Sequence, residues 1–277
     1  MIVNIDGRFV AEEEARISIF DGAVRFGDSL FETLKAKEGR IFFLEYHLDR
    51  IELSARLLGF PCDRAAARSA LQESAARLGA PVARLRLTLT RGAGSGLSFP
   101  PAKEGRILVT ALPYAEPTND ERLAGAACVL APNRRVNPLS HLPQMKRGNY
   151  ADCLYAADFA RRRGAREALF IDEGNNVLEG ATSNLFAVVD GTLVTPPAGE
   201  LVLAGILRAR VLAGARALGL PVREGEIPLE RLYRAKEAFL ANALIGTLPV
   251  SAIEGRPLKR GRWAEILMAR LEADAPL

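Results

Sequence analysis

Apolar residues recur at two spacings along the chain, and the switch from one to the other marks out its elements. In VARLRLTLTRG, Leu85, Leu87 and Leu89 alternate with Arg84, Arg86 and Thr88, the period-two pattern of a strand with one buried face. MIVNIDGRFV reads as two short strands around the Asp6-Gly7 turn, and FETLKAKEGRIFFL repeats that plan around Glu38-Gly39, which predicts antiparallel sheet. In LEYHLDRIELSARLLGF the spacing changes: Leu48, Ile51, Leu53, Ala55 and Leu58 fall near one side of a helix that Gly59 and Pro61 close. A second helix over about 64–78 precedes VARLRLTLTRG, and GRILVTAL adds another strand.

The segment PYAEPTNDE has the proline and polar content of a connection. Beyond it the pattern predicts a strand at AACVLAP, a proline-rich loop at 132–143 and a helix over about 149–163. EALFID, SNLFAVVDGTLVTP, PVREGEI and EAFLAN read as strands, with a hairpin at Asp190-Gly191 and helices at about 206–218 and 228–235. The expected organisation is an α/β (α+β) chain of two domains: a small N-terminal α/β domain over 1–113, a linker over 114–120 and a larger α/β domain over 121–277. The length of 277 residues agrees with two cores.

Composition narrows the class. Nearly half the residues are hydrophobic and a quarter charged, the balance of a chain that buries a sizeable core. The formal charge of +4 comes from cations scattered among acids, and the densest run, Arg161–Arg163, falls at an expected helix end, where cations complement the helix dipole. That argues against nucleic acid as a partner and leaves a small anionic substrate compatible. Cys62, Cys128 and Cys153 have no metal-ligand spacing, and His47 and His141 stand far apart, so no metal site is expected. No apolar run reaches the ~18 residues that span a bilayer, and MIVNIDGRFV lacks a basic region before an apolar core. The expectation is a cytoplasmic protein with no membrane partner.

Candidate chemistry begins with a contrast. Six lysines stand against thirty-one arginines, yet Lys146 occupies the junction of a loop and a helix in QMKRGNYADCLYAA. Gly205 precedes the helix expected from Ile206, where unsatisfied N–H groups can cradle phosphate. TRGAGSGLSFPP is glycine-rich but lacks the spacing of a dinucleotide loop, and Pro100-Pro101 blocks the helix that should follow. Glu179 in NVLEGATSNLF and Arg50 on the 45–58 helix are each ordinary when taken alone.

Taken together and in order, FGDSLFETL, HLDR, MKRGNY, EGATSNLF, LAGILR and ANALIGTLPV resemble the class-IV aminotransferase family, the fold-type IV pyridoxal phosphate enzymes, over nearly the whole chain. The resemblance implies pyridoxal 5′-phosphate as cofactor, carried covalently by Lys146. An amine that can lose its proton suits that role and arginine does not. It further implies Glu179 beside the ring nitrogen and Tyr150 near the phenolic oxygen. Phosphate contacts would come from Arg50 and from Gly205, Ile206 and Leu207, with Asn242 or Ala243 as a further contact, and Ser183 and Asn184 would stand in the cofactor site. A small-molecule carboxylate substrate and a homodimer are also implied, with Arg86 and Arg91 as candidate carboxylate anchors.

Within the family, the three residues between Lys146 and Tyr150, TSNLF after the acid, and NALI near the end depart from the branched-chain pattern. No Arg-x-His trap of D-amino acid aminotransferases follows TRG. Arg91-Gly92 with the glycine-rich run, FGDSLFETL and NALIGTLPV most resemble aminodeoxychorismate lyase, which forms 4-aminobenzoate and pyruvate for the folate pathway, although Tyr150 departs from the usual lyase. The alternative is an aminotransferase acting on branched-chain L-amino acids or D-amino acids with 2-oxoglutarate.

Overall fold

The computed structural model describes residues 1–274. Contacts divide them into two compact units, Met1–Glu116 with Met145–Tyr150, and Pro117–Gln144 with the described residues from Ala151 onward. The segment 145–150, expected with the second domain, therefore groups with the first 116 residues.

The first unit is a six-stranded sheet of β1 (Ile2–Ile5), β2 (Arg8–Val10), β3 (Ser29–Lys37), β4 (Arg40–Ile41), β5 (Val82–Thr90) and β6 (Arg106–Pro113), in the order β2-β1-β6-β5-β3-β4. Every pairing in it is antiparallel. Three helices accompany it: α1 (Gly22–Phe26), α2 (Leu44–Leu58) and α3 (Arg64–Leu78). The period-two pattern of β5 puts Leu85, Leu87 and Leu89 into one core with Leu30 and Leu34 of β3, Leu48 and Ile51 of α2, and Leu71 of α3. Each such side chain contributes about 1.5–3 kcal/mol by leaving water. Gly59 and Gly79 end α2 and α3 in the left-handed conformation, where glycine avoids the Cβ clash. The short α1 escaped sequence reading because it spans barely one turn.

The second unit is built on a nine-stranded sheet of β7 (Ala126–Leu130), β8 (Glu167–Ile171), β9 (Val177–Gly180), β10 (Asn184–Val189), β11 (Thr192–Thr195), β12 (Val222–Glu224), β13 (Glu237–Asn242), β14 (Gly246–Ile253) and β15 (Arg256–Pro257). The path β10-β13-β14-β7-β8-β9 returns to β10 through one pairing, Glu179 with Asn184, so a ring of strands closes at that pair. Its helices are α4 (Asn119–Ala124), α5 (Ala151–Arg162), α6 (Ile206–Ala217), α7 (Leu229–Leu232) and α8 (Trp263–Asp274). The stretch read as a linker contains the start of α4, where Thr118 and Glu121 form a reciprocal capping box. β14 and α8 also lay outside the sequence expectations. Glu237 holds the start of α8 by accepting from the backbone N–H groups of Trp263 and Ala264, a long-range contact with no local signature. Among the described residues no helix is long and apolar enough to cross a membrane, and no cluster of three or more His, Cys, Asp or Glu is placed to hold a metal ion.

Candidate active site

In the first unit the strand β3 is the platform. The extended segment 145–150 lies along it: Phe31 N–H donates to the Lys146 carbonyl at 2.9 Å, and Gly148 N–H donates to the Ser29 carbonyl at 2.7 Å. Two glycines permit this approach. A Cβ at Gly27, whose φ is +64°, would lie 2.9 Å from Asn149 Cα, and one at Gly148 would collide with the Ser29 hydroxyl. The motifs FGDSLFETL and MKRGNY are thus two sides of one strand pairing. Lys146 Nζ stands 4.5 Å from the Phe31 ring centroid and 5.5 Å from that of Tyr150, and the two rings meet edge to face at 5.4 Å. Arg86 lays its guanidinium on the same Phe31 ring, 3.7 Å from the centroid.

Beneath them Glu32 is buried and accepts from Arg50 Nε at 2.7 Å and Nη2 at 2.6 Å, while His47 Nδ1 lies 2.7 Å from the same carboxylate. Burial favours a neutral Glu32, but the charge of Arg50 and then His47 outweigh it and hold the carboxyl at about 2. Burial likewise lowers the proton affinity of His47, against the pull of Glu32. Glu32 and His47 were not foreseen as members of this group. An acid inside the otherwise apolar SLFETL was the available signal.

Arg91 behaves otherwise than expected. It is 5% exposed, donates to Asp28 at 2.7 Å and to the carbonyls of Gly59 and Leu58 at 2.6 Å each, and lies between the rings of Phe60 and Phe99. Its fork is engaged by the end of α2 and by Asp28.

In the second unit Glu179 and Asn184 are the closing pair of the ring. Glu179 Oε1 accepts from Arg135 Nε at 3.0 Å, and Oε2 accepts from Asn184 Nδ2 at 3.2 Å and from the Leu203 N–H at 3.0 Å. Arg135 in turn donates to Asp152 at 2.5 Å. Asn184 Nδ2 also reaches the Leu203 carbonyl at 3.0 Å, and Asn184 Oδ1 fills the space a Cβ at Gly205 would need. Asn184 therefore ties Glu179 to the loop leading into α6. Gly205 is the N-cap of that helix, and the first N–H groups of a helix have no partner within it, which leaves Ile206 and Leu207 able to face an anion.

Ser183 turns its hydroxyl inward to Glu167 at 2.9 Å, beside Thr182, whose hydroxyl donates to the same oxygen at 2.7 Å. Burial pushes the Glu167 carboxyl above its ordinary value, against these bonds. Asn242 folds the turn after β13, accepting from the N–H groups of Leu244 and Ile245 at 2.9 Å and donating to the Thr182 carbonyl at 3.2 Å. Ala243 sits within that turn. Arg135, Asp152 and Glu167 escaped sequence reading, since a residue that contacts another side chain across the fold leaves no periodic trace.

Each unit by itself holds groups whose chemistry suits pyridoxal 5′-phosphate: in the first, a lysine amine over two aromatic rings; in the second, a buried carboxylate able to face a protonated ring nitrogen and an open helix start able to face phosphate. Comparison with known proteins points the same way. The sequence profile of the Amino-transferase class IV family matches residues 29–253. A Methanocaldococcus jannaschii protein provisionally named a branched-chain-amino-acid aminotransferase is 32% identical over 96% of this chain and 92% of its own. The crystal structure of 4-amino-4-deoxychorismate lyase from Pseudomonas aeruginosa superposes with a TM-score of 0.86 at 32% identity, covering 98% of each chain. The branched-chain aminotransferase of the thermophilic archaeon Thermoproteus uzoniensis, solved with norvaline, superposes with a TM-score of 0.87 at 28% identity, over 98% of this chain and 93% of that one. With fold, residues and relatives in agreement, the chain belongs to the class IV aminotransferase family and is a fold-type IV enzyme that works with pyridoxal 5′-phosphate.

Proposed function

We propose that this enzyme is an aminotransferase that moves the amino group of a branched-chain L-amino acid to a 2-oxo acid. This replaces the lyase as the leading reading, because the similar sequences are mostly branched-chain aminotransferases. The structural observation that carries it is the Lys146–Tyr150 pair over Phe31, since Tyr150 is the residue in which the chain departs from the usual lyase.

The cofactor, when bound, supplies an aldehyde that takes up the amino group and a ring that accepts the electron pair left at the substrate's Cα. Lys146 is the attachment point. Its amine, when free, would take up and hand back the proton of the substrate's Cα. Glu179 would hold a proton at the ring nitrogen, the N–H groups of Ile206 and Leu207 together with Arg50 would hold the phosphate, and Tyr150 would orient the phenolic oxygen. Asn184, Ser183 and Asn242 shape the loops around these groups. Arg86, exposed beside Phe31, offers a bidentate fork to the substrate carboxylate. A homodimer belongs to this reading and is supported by the exposed apolar Ile19, Phe20, Val24 and Phe26 on the first unit.

The lyase remains the second reading because of the 32% identity to the solved lyase. Holoenzyme incubated with branched-chain L-amino acids or D-amino acids plus 2-oxoglutarate, and separately with 4-amino-4-deoxychorismate, tests both. Glutamate formation from L-leucine supports the proposal; 4-aminobenzoate and pyruvate without amino transfer overturn it.

A further inference from the structure

The Asp152–Arg135–Glu179 chain lies wholly in the second unit and is almost completely withdrawn from water. The Arg135 and Glu179 side chains are each 6% exposed and that of Asp152 11%. Burying a guanidinium is costly unless acids face it. Glu179 and Asp152 do so here and, against burial, raise the proton affinity of Arg135 above its ordinary value.

The orientation of Arg135 is fixed from several sides. Asp152 grips Nη1 and is itself held by the backbone N–H groups of Val136 at 3.1 Å and Cys153 at 2.8 Å. With its carboxamide oxygen facing the guanidinium, Gln144 accepts from Nη2 at 2.5 Å and Nη1 at 3.1 Å. Nε points at Glu179. A cation so confined acts on the chemistry through Glu179.

A carboxylate facing a pyridine nitrogen in a dry site shares one proton with it, and the proton can rest on oxygen, giving a neutral pair, or on nitrogen, giving an ion pair. Low dielectric favours the neutral pair. A guanidinium hydrogen-bonded to the carboxylate reverses that preference, because it stabilises the charged oxygen directly and repels the more distant nitrogen less. The donors Asn184 Nδ2 and Leu203 N–H act on the other oxygen in the same sense.

We propose that Arg135 is a positioning residue that keeps Glu179 a carboxylate, so that the shared proton stays on the cofactor's ring nitrogen and the ring remains an effective electron acceptor. This rests on Glu179 being the ring's acid. The test is the ¹⁵N resonance of the ring nitrogen in holoenzyme loaded with ring-¹⁵N pyridoxal 5′-phosphate, for the parent, Arg135→Met, Arg135→Lys and Glu179→Gln. The expected result is a pyridinium-like signal in the parent that moves toward that of neutral pyridine in Arg135→Met and is largely restored in Arg135→Lys. Turnover in Arg135→Met should fall about tenfold to hundredfold, while KM for the amino donor stays close to the parent's. If Glu179→Gln moves the signal and Arg135→Met does not, the role of Arg135 is overturned. If Glu179→Gln leaves it in place, the assignment of Glu179 fails, and this proposal fails with it. Should Arg135→Met not fold, Arg135→Gln replaces it in the same comparison.

Discussion

Arg50 meets Glu32 with two of its nitrogens, Nε at 2.7 Å and Nη2 at 2.6 Å, so the aim of a helix cation is set by an acid on the neighbouring strand. A bidentate pair of this kind is directional as well as strong. His47 completes the acid's surroundings, and the three side chains act as one buried charge group.

That group makes stability depend on acidity. The Glu32 carboxyl is depressed from 4.5 to about 2, so its contribution is fully present above the unfolded value and is lost as pH falls from about 4.5 toward 2. The loss amounts to about 3 kcal/mol at most. His47, whose proton affinity is lowered by burial, adds a decline that starts near its ordinary value. Urea unfolding of the parent and Glu32→Gln across this range should show a flatter acid limb in the variant; equal slopes would exclude Glu32 as the source.

Lys146→Ala should abolish turnover and covalent retention of the cofactor while leaving the thermal transition near that of the parent. Borohydride reduction of the parent followed by peptide mapping should find the label on Lys146 alone. Lys35, which is buried, already bonds Glu116 at 2.7 Å, and label there would refute the assignment.

Gly205→Ala should weaken cofactor binding. The added methyl meets Asn184 Oδ1, and Asn184 cannot retreat without loosening its bonds to Glu179 and the Leu203 carbonyl. A loss of about 1.5–3 kcal/mol, roughly tenfold to hundredfold in Kd, is expected by fluorescence titration. Gly199→Ala, where a Cβ meets nothing within 4 Å, is the control and should bind as the parent does.

Arg91→Ala should lower stability and leave substrate kinetics alone. Removing the guanidinium takes a partner from the half-buried Asp28 and from the carbonyls of Leu58 and Gly59, a cost of about 1–3 kcal/mol. A raised KM with unchanged urea midpoint would restore the carboxylate-anchor role.

Arg86→Gln should do the reverse. Stacked on Phe31 at an exposed position, Arg86 supports little of the core, so KM for the amino donor should rise about tenfold, the worth of one charge-assisted bond, with the melting temperature nearly unchanged. Initial-rate kinetics and a melting curve on the same preparation decide it.

The elements with a strict period were legible in the sequence. Leu85, Leu87 and Leu89 announced β5, and the apolar stripe through Leu48 and Ile51 announced α2. The helix start at Gly205 was legible because a glycine before a periodic run leaves a mark in a short window. Arg135 and Glu167 were not, since their meaning lies in Glu179, 44 residues away, and in Thr182 and Ser183 across a strand turn. The partners of Arg91 were hidden for the same reason: Asp28, Leu58 and Gly59 are distant in sequence, and an arginine on a strand looks alike whether it faces a ligand or a helix end.

The segment 145–150 belongs by its contacts with the first 116 residues although the chain reaches it only after beginning the second unit. No single break in the backbone therefore yields two complete fragments. A polypeptide ending at Glu116 would leave the Ser29–Phe31 stretch of β3 without the carbonyl and amide partners that Lys146 and Gly148 supply, an open strand edge that invites pairing with a neighbouring molecule. Domain shuffling or fragment complementation with this enzyme must carry the six residues as a third piece, because the lysine is inherited with one unit in sequence and with the other in structure.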